Sequence, residues 1–366
     1  MSRTLLLNPG PVTLSARVRE ALLRPDLCHR EIEFSSLQGA IRAALLKVYD
    51  LDATTWAAVL LTGSGTAAVE AMLTSTVPRS GRLLVVENGV YGERMSMMAE
   101  RAGIATARCA TSWESSLRLA AVEAQLDAFP DTTHVAVVHH ETTTGRLNDL
   151  HALGALCAAR GVDLLLDAVS SFGAENIDFH ALPIAACAAT ANKCLHGVPG
   201  VSFVILNRQR FAGSGTPARS VYLDLGTYLT QQERGGTPFT QSVQGFYALH
   251  EALAEFAEAG GQAARQQLYR TRMTHARATL AGLGVEGILP EADCSCVLHA
   301  FRLPGGQGYE ELHAGLKARG FVIYAGQGRL AADIFRISLM GDLTTEDLAR
   351  LAQAFRELLT RDLRLP

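Results

Sequence analysis

The feature that most limits what this chain can fold into is an alternation of short apolar runs with longer amphipathic ones. Ala57–Leu61, Arg82–Glu87, His134–His139, Asp163–Asp167 and Val201–Leu206 are mostly aliphatic and too short for helices. Around them lie Thr66–Thr76, Gly92–Ala102, Ser115–Phe129 and Asp149–Arg160, which are long enough for helices. Apolar runs without polar alternation predict strands that are dry on both faces, as in a sheet covered by helices on either side. The expected fold class is therefore α/β, with a mostly parallel sheet. After about Gly213 the sequence turns polar and turn-rich up to about Thr240. A long helical stretch follows from about Gln241 to Leu283, with a break at Gly260–Gly261. The remainder mixes strands (Cys296–Phe301, Ile334–Leu339) with helices (Tyr309–Arg319, Thr345–Thr360), which reads as a smaller α+β unit. The 366 residues exceed the roughly 250–300 at which one core stops growing, so two domains are expected.

Composition removes several function classes. The 33 Lys and Arg against 36 Asp and Glu leave a net charge of −3, with no basic surplus for phosphate backbones, so no nucleic-acid partner is expected. An apolar share of 48% excludes disorder. No apolar run approaches the roughly 18–20 residues of a membrane span, and the three Leu before Asn8 are too few for a signal-peptide core. A reducing cytoplasm is the expected compartment. Of seven cysteines, five sit in apolar segments, as buried thiols would. Cys294 and Cys296 form a C-x-C that reads as strand alternation, because no second cluster with metal-ligand spacing accompanies it.

Open parallel sheets place ligands at the carboxyl ends of their strands, so the residues after each apolar run carry the most information. AAVLL is followed by Thr62-Gly63-Ser64-Gly65-Thr66 and then a helix. Glycines, hydroxyls and the first-turn N–H groups there suit an anion, although an ordinary capped turn would look the same. Asp167 ends a wholly apolar strand, where a carboxylate needs a cation or several donors. It reads either as a structural acid or as the partner of a protonated ring nitrogen. Lys193 sits among Ala, Cys, Leu and Val in TANKCLHGVPG. Such surroundings lower an amine's pKa and make it a nucleophile, unless the side chain snorkels to water. Arg336 lies inside the apolar DIFRISLMG and needs an anion, either an internal carboxylate or one on a substrate.

These residues, with the motifs LLLNPGP, LLTGSGTAAVEA, ENGVYGERM, VVHHETTTG, LLLDAVSSFGA, ATANKCLHGVPG, RGGTPFTQSV, GFVIYAG and FRISLMGD, give the chain a resemblance to a known family. It resembles the class V, fold-type-I aminotransferases that use pyridoxal 5′-phosphate (PLP), over nearly its whole length. ETTTG, ANKC-x-x-GVPG and FVIY-x-G point within that class to the branch acting on 2-aminoethylphosphonate and pyruvate. The resemblance implies a large domain with a seven-stranded, mostly parallel sheet over residues 15–245, and a small domain made of 1–14 and 246–366. It implies that Lys193 bonds covalently to PLP, that Asp167 pairs with the ring nitrogen, and that Val169 and Tyr91 pack on the two faces of the ring. Ser64, Gly65 and Thr66, with Asn192 nearby, would hold the phosphate, and Thr142 would lie at the ring hydroxyl. Thr240, with Thr237, would reach the cofactor of the other subunit in a homodimer with shared active sites. Arg336 would bind the carboxylate of pyruvate or alanine, with Asn8 and Arg30 as further substrate residues. CHREIEF at residues 28–34 departs from the phosphonate branch and is similar to the alanine–glyoxylate and serine–pyruvate branch, which is the alternative activity. A nicotinamide dehydrogenase, the reading from another class, would leave Lys193 and Asp167 without a task.

Overall fold

In a computed structural model of the chain, residues 3–213, 219–305 and 307–359 are described. Seven strands form the central sheet: β1 (Trp56–Thr62), β2 (Arg82–Glu87), β3 (Ala105–Ala110), β4 (Thr132–Val138), β5 (Asp163–Asp167), β6 (Ile184–Thr190) and β7 (Val201–Asn207). Their order across the sheet is β1-β7-β6-β5-β4-β2-β3. β7 runs antiparallel to both its neighbours, and the other adjacent pairs are parallel. Six strands therefore point the same way, and their carboxyl ends share one edge of the sheet.

The expected dryness on both faces is met residue by residue. In β1 Leu60 packs on one side, against Phe34, Ile41 and Leu45 of the helix Ile32–Lys47, while Val59 and Leu61 pack on the other. The second layer is supplied by Ala68, Val69 and Met72 of the helix Gly65–Thr76 and by Met95 and Ala99 of the helix Val90–Arg101. Leu164, Leu165 and Leu166 in β5 alternate between the two cores in the same way. Each such side chain contributes about 1.5–3 kcal/mol by leaving water, which favours a helix layer on both sides over a one-sided sheet.

Several details depart from the sequence reading. β3 was not expected, because ATARCA alternates exposed and buried positions, as an edge strand does. The helix read as Ser115–Phe129 starts only at Leu119. A helix at Leu225–Glu233 lies inside the segment read as turns, of which residues 214–218 fall outside the described residues. Cys28 is exposed rather than buried. Cys294 and Cys296 precede the strand Leu298–Arg302 instead of alternating within it; the first is half-buried and the second buried.

The long helical stretch breaks where the two glycines stand, giving Val243–Glu258 and Gly261–Ala281, with Gly260 at a φ of 96°. The last helix runs Thr345–Leu359, and Thr360 falls outside the described residues. A three-stranded antiparallel sheet places Ile334–Ser338 between Leu298–Arg302 and Tyr324–Ala325. The start of the chain joins this region: Leu5–Leu6 pairs in parallel with Phe321–Val322, and Leu7 O accepts from Ser338 N at 2.8 Å. That pairing carries Asn8, Pro9 and Gly10 to the edge of the large sheet. Among the described residues no helix is long and apolar enough to cross a membrane.

Candidate active site

The site lies along the shared carboxyl edge of the strands. β1 delivers Ser64, the N-cap of the helix Gly65–Thr76, whose hydroxyl makes no capping bond of its own. Ser64 and Thr66 are exposed, and Gly65 is buried. A Cβ on Gly65 would stand 2.8 Å from Val169 Cγ1, so this position must stay small for Val169 to keep its place. β2 leads into the helix that carries Tyr91 and Arg94, with the Arg94 guanidinium 4.8 Å from the centre of the Tyr91 ring. β5 ends in Asp167, which is only 6% exposed and accepts from Val169 N at 2.9 Å. A cavity is lined by Thr66, Tyr91, Arg94, Asp167 and Val169, with Val69, Met95 and Met98 as its aliphatic lining.

β6 runs out into Asn192 and Lys193. Asn192 Oδ1 is held by the Thr190 hydroxyl at 2.8 Å. The Lys193 amine donates to the carbonyl of Pro9. Gly10, at a φ of 107°, lies directly beside it, and a Cβ there would fall 2.5–2.8 Å from the last three atoms of the lysine side chain. Only glycine leaves the amine room to move.

The electrostatics of this edge follow from burial. Desolvation, only partly offset by the Val169 N–H and the charge of Lys193, pushes Asp167 up to about 6. Desolvation likewise pushes Lys193 down to about 8, against the pull of Cys194 and Asp167, with Arg336 adding to the decrease. Acid and amine are thus brought close enough to influence each other, and both lie nearer neutrality than in water. Groups shifted by burial and by one another in a cleft are the usual mark of acid–base chemistry.

Arg336 is 0% exposed. Its Nε donates to Ala325 O at 2.8 Å, and Nη1 donates to Thr142 O at 2.8 Å and to Gln327 Oε1 at 3.1 Å. Nη2 is buried and has no hydrogen-bond partner. Asn8 Oδ1 is in the same condition. A buried guanidinium N–H without an acceptor costs free energy unless a ligand supplies one, and a carboxylate does so with charge assistance.

The sequence-derived residues thus divide. Ser64, Gly65, Thr66, Tyr91, Asp167, Val169, Asn192 and Lys193 fall along one edge, and Thr142 and Arg336 meet beside it. Thr237 is buried, with its hydroxyl between Gln241 Nε2 at 2.9 Å and Phe239 O at 3.2 Å, so that oxygen is already engaged within the chain. Thr240 and Arg30 are exposed. Thr237 reaches the end of β1 only through Gln241, whose Oε1 accepts from the Thr62 hydroxyl at 2.8 Å, and among the described residues no hydrogen bond or ion pair joins Arg30 or Thr240 to the Lys193 edge. Arg94, Glu141 and Gln327 were missed. Arg94 stands three residues beyond Tyr91, one helical turn away, which was a usable signal. Glu141 lay in plain view in HHETTTG, but only the fold reveals what it faces. Gln327 carried no signal.

Comparison with known proteins agrees with this geometry. The family model "Aminotransferase class-V" matches residues 28–351. The 2-aminoethylphosphonate–pyruvate transaminase of Aeromonas hydrophila is 40% identical over 349 residues, which is 93% of this chain and 91% of that protein. Its namesake from Syntrophobacter fumaroxidans is 36% identical over 361 residues, 98% of this chain and 96% of that protein. Among solved structures, an alanine–glyoxylate aminotransferase from Nostoc sp. superimposes with a TM-score of 0.91 at 25% identity, covering 98% of this chain and 96% of its own. An edge lined with a lysine, an acid and an uncapped helix N-terminus, on a sheet with these relatives, leads to one conclusion: the chain belongs to the class-V aminotransferases.

Proposed function

We propose that this protein is a PLP-dependent aminotransferase that moves the amino group of 2-aminoethylphosphonate to pyruvate, yielding phosphonoacetaldehyde and L-alanine. The observation that carries the reading is the Lys193 amine, lowered to about 8, facing an edge that also holds Asp167 and the unpaired Nη2 of Arg336. The relatives named for this reaction, matched over more than nine-tenths of the chain, favour the phosphonate donor.

The residues fit PLP. The uncommitted Ser64 hydroxyl, Gly65 and Thr66 form an anion cradle at a helix N-terminus, with Asn192 beside it. Tyr91, Val169 and Asp167 line one cavity, which brings two side chains that can pack on a ring together with an acid that can meet a basic nitrogen. Thr142 would sit at the ring hydroxyl. When bound, PLP supplies an aldehyde that takes up amines and a ring that accepts an electron pair.

The chain supplies the rest. Lys193 holds the cofactor and, once displaced by the incoming amine, its Nζ takes the proton from the carbon bearing the amino group. A side chain just released from that spot is already within reach. Asp167, ionised, keeps a proton on the ring nitrogen. Arg336 Nη2 donates to the carboxylate of the 2-oxo acid, with the Asn8 amide Nδ2 as a further donor. Arg30 is assigned to the substrate, and Thr240, with Thr237, to the cofactor of the other subunit of a cytoplasmic homodimer. This reading also divides the chain into a large domain over 15–245 and a small one formed by 1–14 with 246–366. The pairing of Leu5–Leu6 with Phe321–Val322 supports joining the first residues to the last part.

A second reading, alanine:glyoxylate or serine:pyruvate transamination, is favoured by the likeness to the Nostoc enzyme and by His29-Arg30. A donor panel separates the two. With pyruvate as acceptor, 2-aminoethylphosphonate should exceed serine in kcat/KM by at least about 100-fold, the effect of roughly 2.7 kcal/mol of differential binding. Faster turnover with serine, or with alanine and glyoxylate, would establish the second reading.

A further inference from the structure

The helix Val90–Arg101 carries Tyr91 and Arg94 to the cavity, yet its N-cap is Gly89, which has no side chain to satisfy the first-turn N–H groups. Another element supplies the acceptors. Glu141 Oε2 accepts from Tyr91 N at 3.2 Å and from Gly92 N at 3.3 Å. Its Oε1 accepts from Thr143 N at 3.1 Å and from the Thr143 hydroxyl at 2.7 Å. That hydroxyl in turn accepts from Val90 N at 3.1 Å. Three successive N–H groups of the helix are thus capped from across the site. Glu141 is 0% exposed, and burial pushes its carboxyl up to about 7 against the pull of the Thr143 and Gly92 donors. A buried carboxylate held by neutral donors and a helix dipole is costly to build, which argues for a task beyond packing. The intervening residue, Thr142, gives its carbonyl to Arg336. The short stretch 141–143 therefore grips the Tyr91 helix and the buried arginine together.

We propose that Glu141 is a positioning residue: by capping the helix that begins at Val90, it fixes the Tyr91 ring against the face of the cofactor and ties that placement to Arg336. The inference rests on the proposed role of Tyr91 and deepens it, without depending on which amine is the donor.

Gly89 provides an independent handle. A Cβ there would fall 2.2–2.6 Å from the Glu141 carboxyl group, so the pair fits only with glycine at 89. Gly89 has a φ of 172°, extended backbone that alanine adopts without strain. Gly89→Ala should therefore push the Glu141 carboxyl group off the helix while leaving the residue itself in the chain.

The test compares the wild type, Glu141→Gln, Gly89→Ala, Glu141→Ala and the double variant Gly89→Ala/Glu141→Ala. Three quantities are measured: the PLP dissociation constant, the visible circular dichroism of bound PLP, and the apo melting temperature. Glu141→Gln and Gly89→Ala should each weaken PLP about 10-fold and diminish the dichroic band, with apo melting nearly unchanged, since misplacement by a fraction of an ångström suffices. Adding Gly89→Ala to Glu141→Ala should change PLP affinity by less than about twofold, because the two changes act on one contact. Full additivity would overturn the proposal. So would wild-type affinity and dichroism in Glu141→Gln, or a loss confined to apo melting. If Glu141→Ala fails to fold, the two milder variants decide. A wild type that binds no PLP would sink both this inference and the proposed function, whereas preference for another donor would sink only the latter.

Discussion

Two cations mark the two halves of the site, Lys193 half-buried and Arg336 fully buried. Lys193, at the end of β6, has one carbonyl partner and an apolar surround that brings it down to about 8. Arg336, in the strand Ile334–Ser338, is more deeply enclosed yet surrounded by fixed oxygens, those of Ala325, Thr142 and Gln327. Burial lowers its pKa as well, but guanidinium starts so high that it stays charged. The contrast shows how one site can hold both a group that exchanges protons and a group that only recognises. Desolvation, with a smaller push from Arg336, makes the amine reactive. Desolvation with a nearly complete set of acceptors makes the guanidinium a socket with one vacant place, Nη2.

The comparison breaks most visibly at the lysine. Lys193→Ala should lower kcat by at least about 10⁴-fold, since it removes both the covalent anchor and the base, while PLP can still bind non-covalently. Steady-state turnover with any amine donor checks this, and residual activity near wild type would move the chemistry elsewhere. Asp167→Asn should come next, with a loss of about 10²–10³-fold in kcat, because an amide cannot hold the proton on a ring nitrogen. An unchanged kcat would make Asp167 a structural acid.

On the recognition side, Arg336→Ala should raise KM for pyruvate about 100-fold while leaving the half-reaction of a donor without a carboxylate within about threefold. Single-turnover reduction of the cofactor by 2-aminoethylphosphonate isolates that half. Equal losses in both halves would remove the distinction between socket and base.

The smallest effects are in pH. Lys193 must be neutral to take up an aldehyde, so PLP capture by the apo protein should accelerate as pH rises through about 8 and level off above it. An unshifted amine would continue to accelerate toward the ordinary 10.5. Asp167 is raised from its ordinary 3.8 to about 6, so the folded apo protein binds a proton over that window which the unfolded chain has released. Its contribution should make the apo protein less stable as pH climbs from about 4 through 6, and Asp167→Asn should remove that slope. Chemical denaturation of both proteins across the window measures the difference.

Much of the interior was legible because dry strands read as unbroken aliphatic runs. β2 and β5 match their expected bounds, and the break at Gly260 stands where two adjacent glycines cannot continue a helix. β3 escaped because an edge strand half in water loses that signal, and the reversed direction of β7 leaves no trace in composition. Within the site, Asp167, Lys193 and Arg336 stood out as charges in apolar text, which burial makes expensive. Glu141 is as deeply buried, yet it lies among His and Thr residues, where a carboxylate looks ordinary. Its meaning depends on a helix whose two contacts with it lie 50 and 49 residues away in sequence. Thr240 and Arg30 were chosen by resemblance alone, and a single subunit gives them no partner within the site.

Everything proposed for this site depends on the bond between Lys193 and PLP. Hydride reduction of the loaded protein, followed by digestion and mass spectrometry, reads it directly. One pyridoxyl-modified peptide is expected, modified at Lys193 and absent in Lys193→Ala. A pyridoxyl group on another lysine, or none after saturation with PLP, would contradict it.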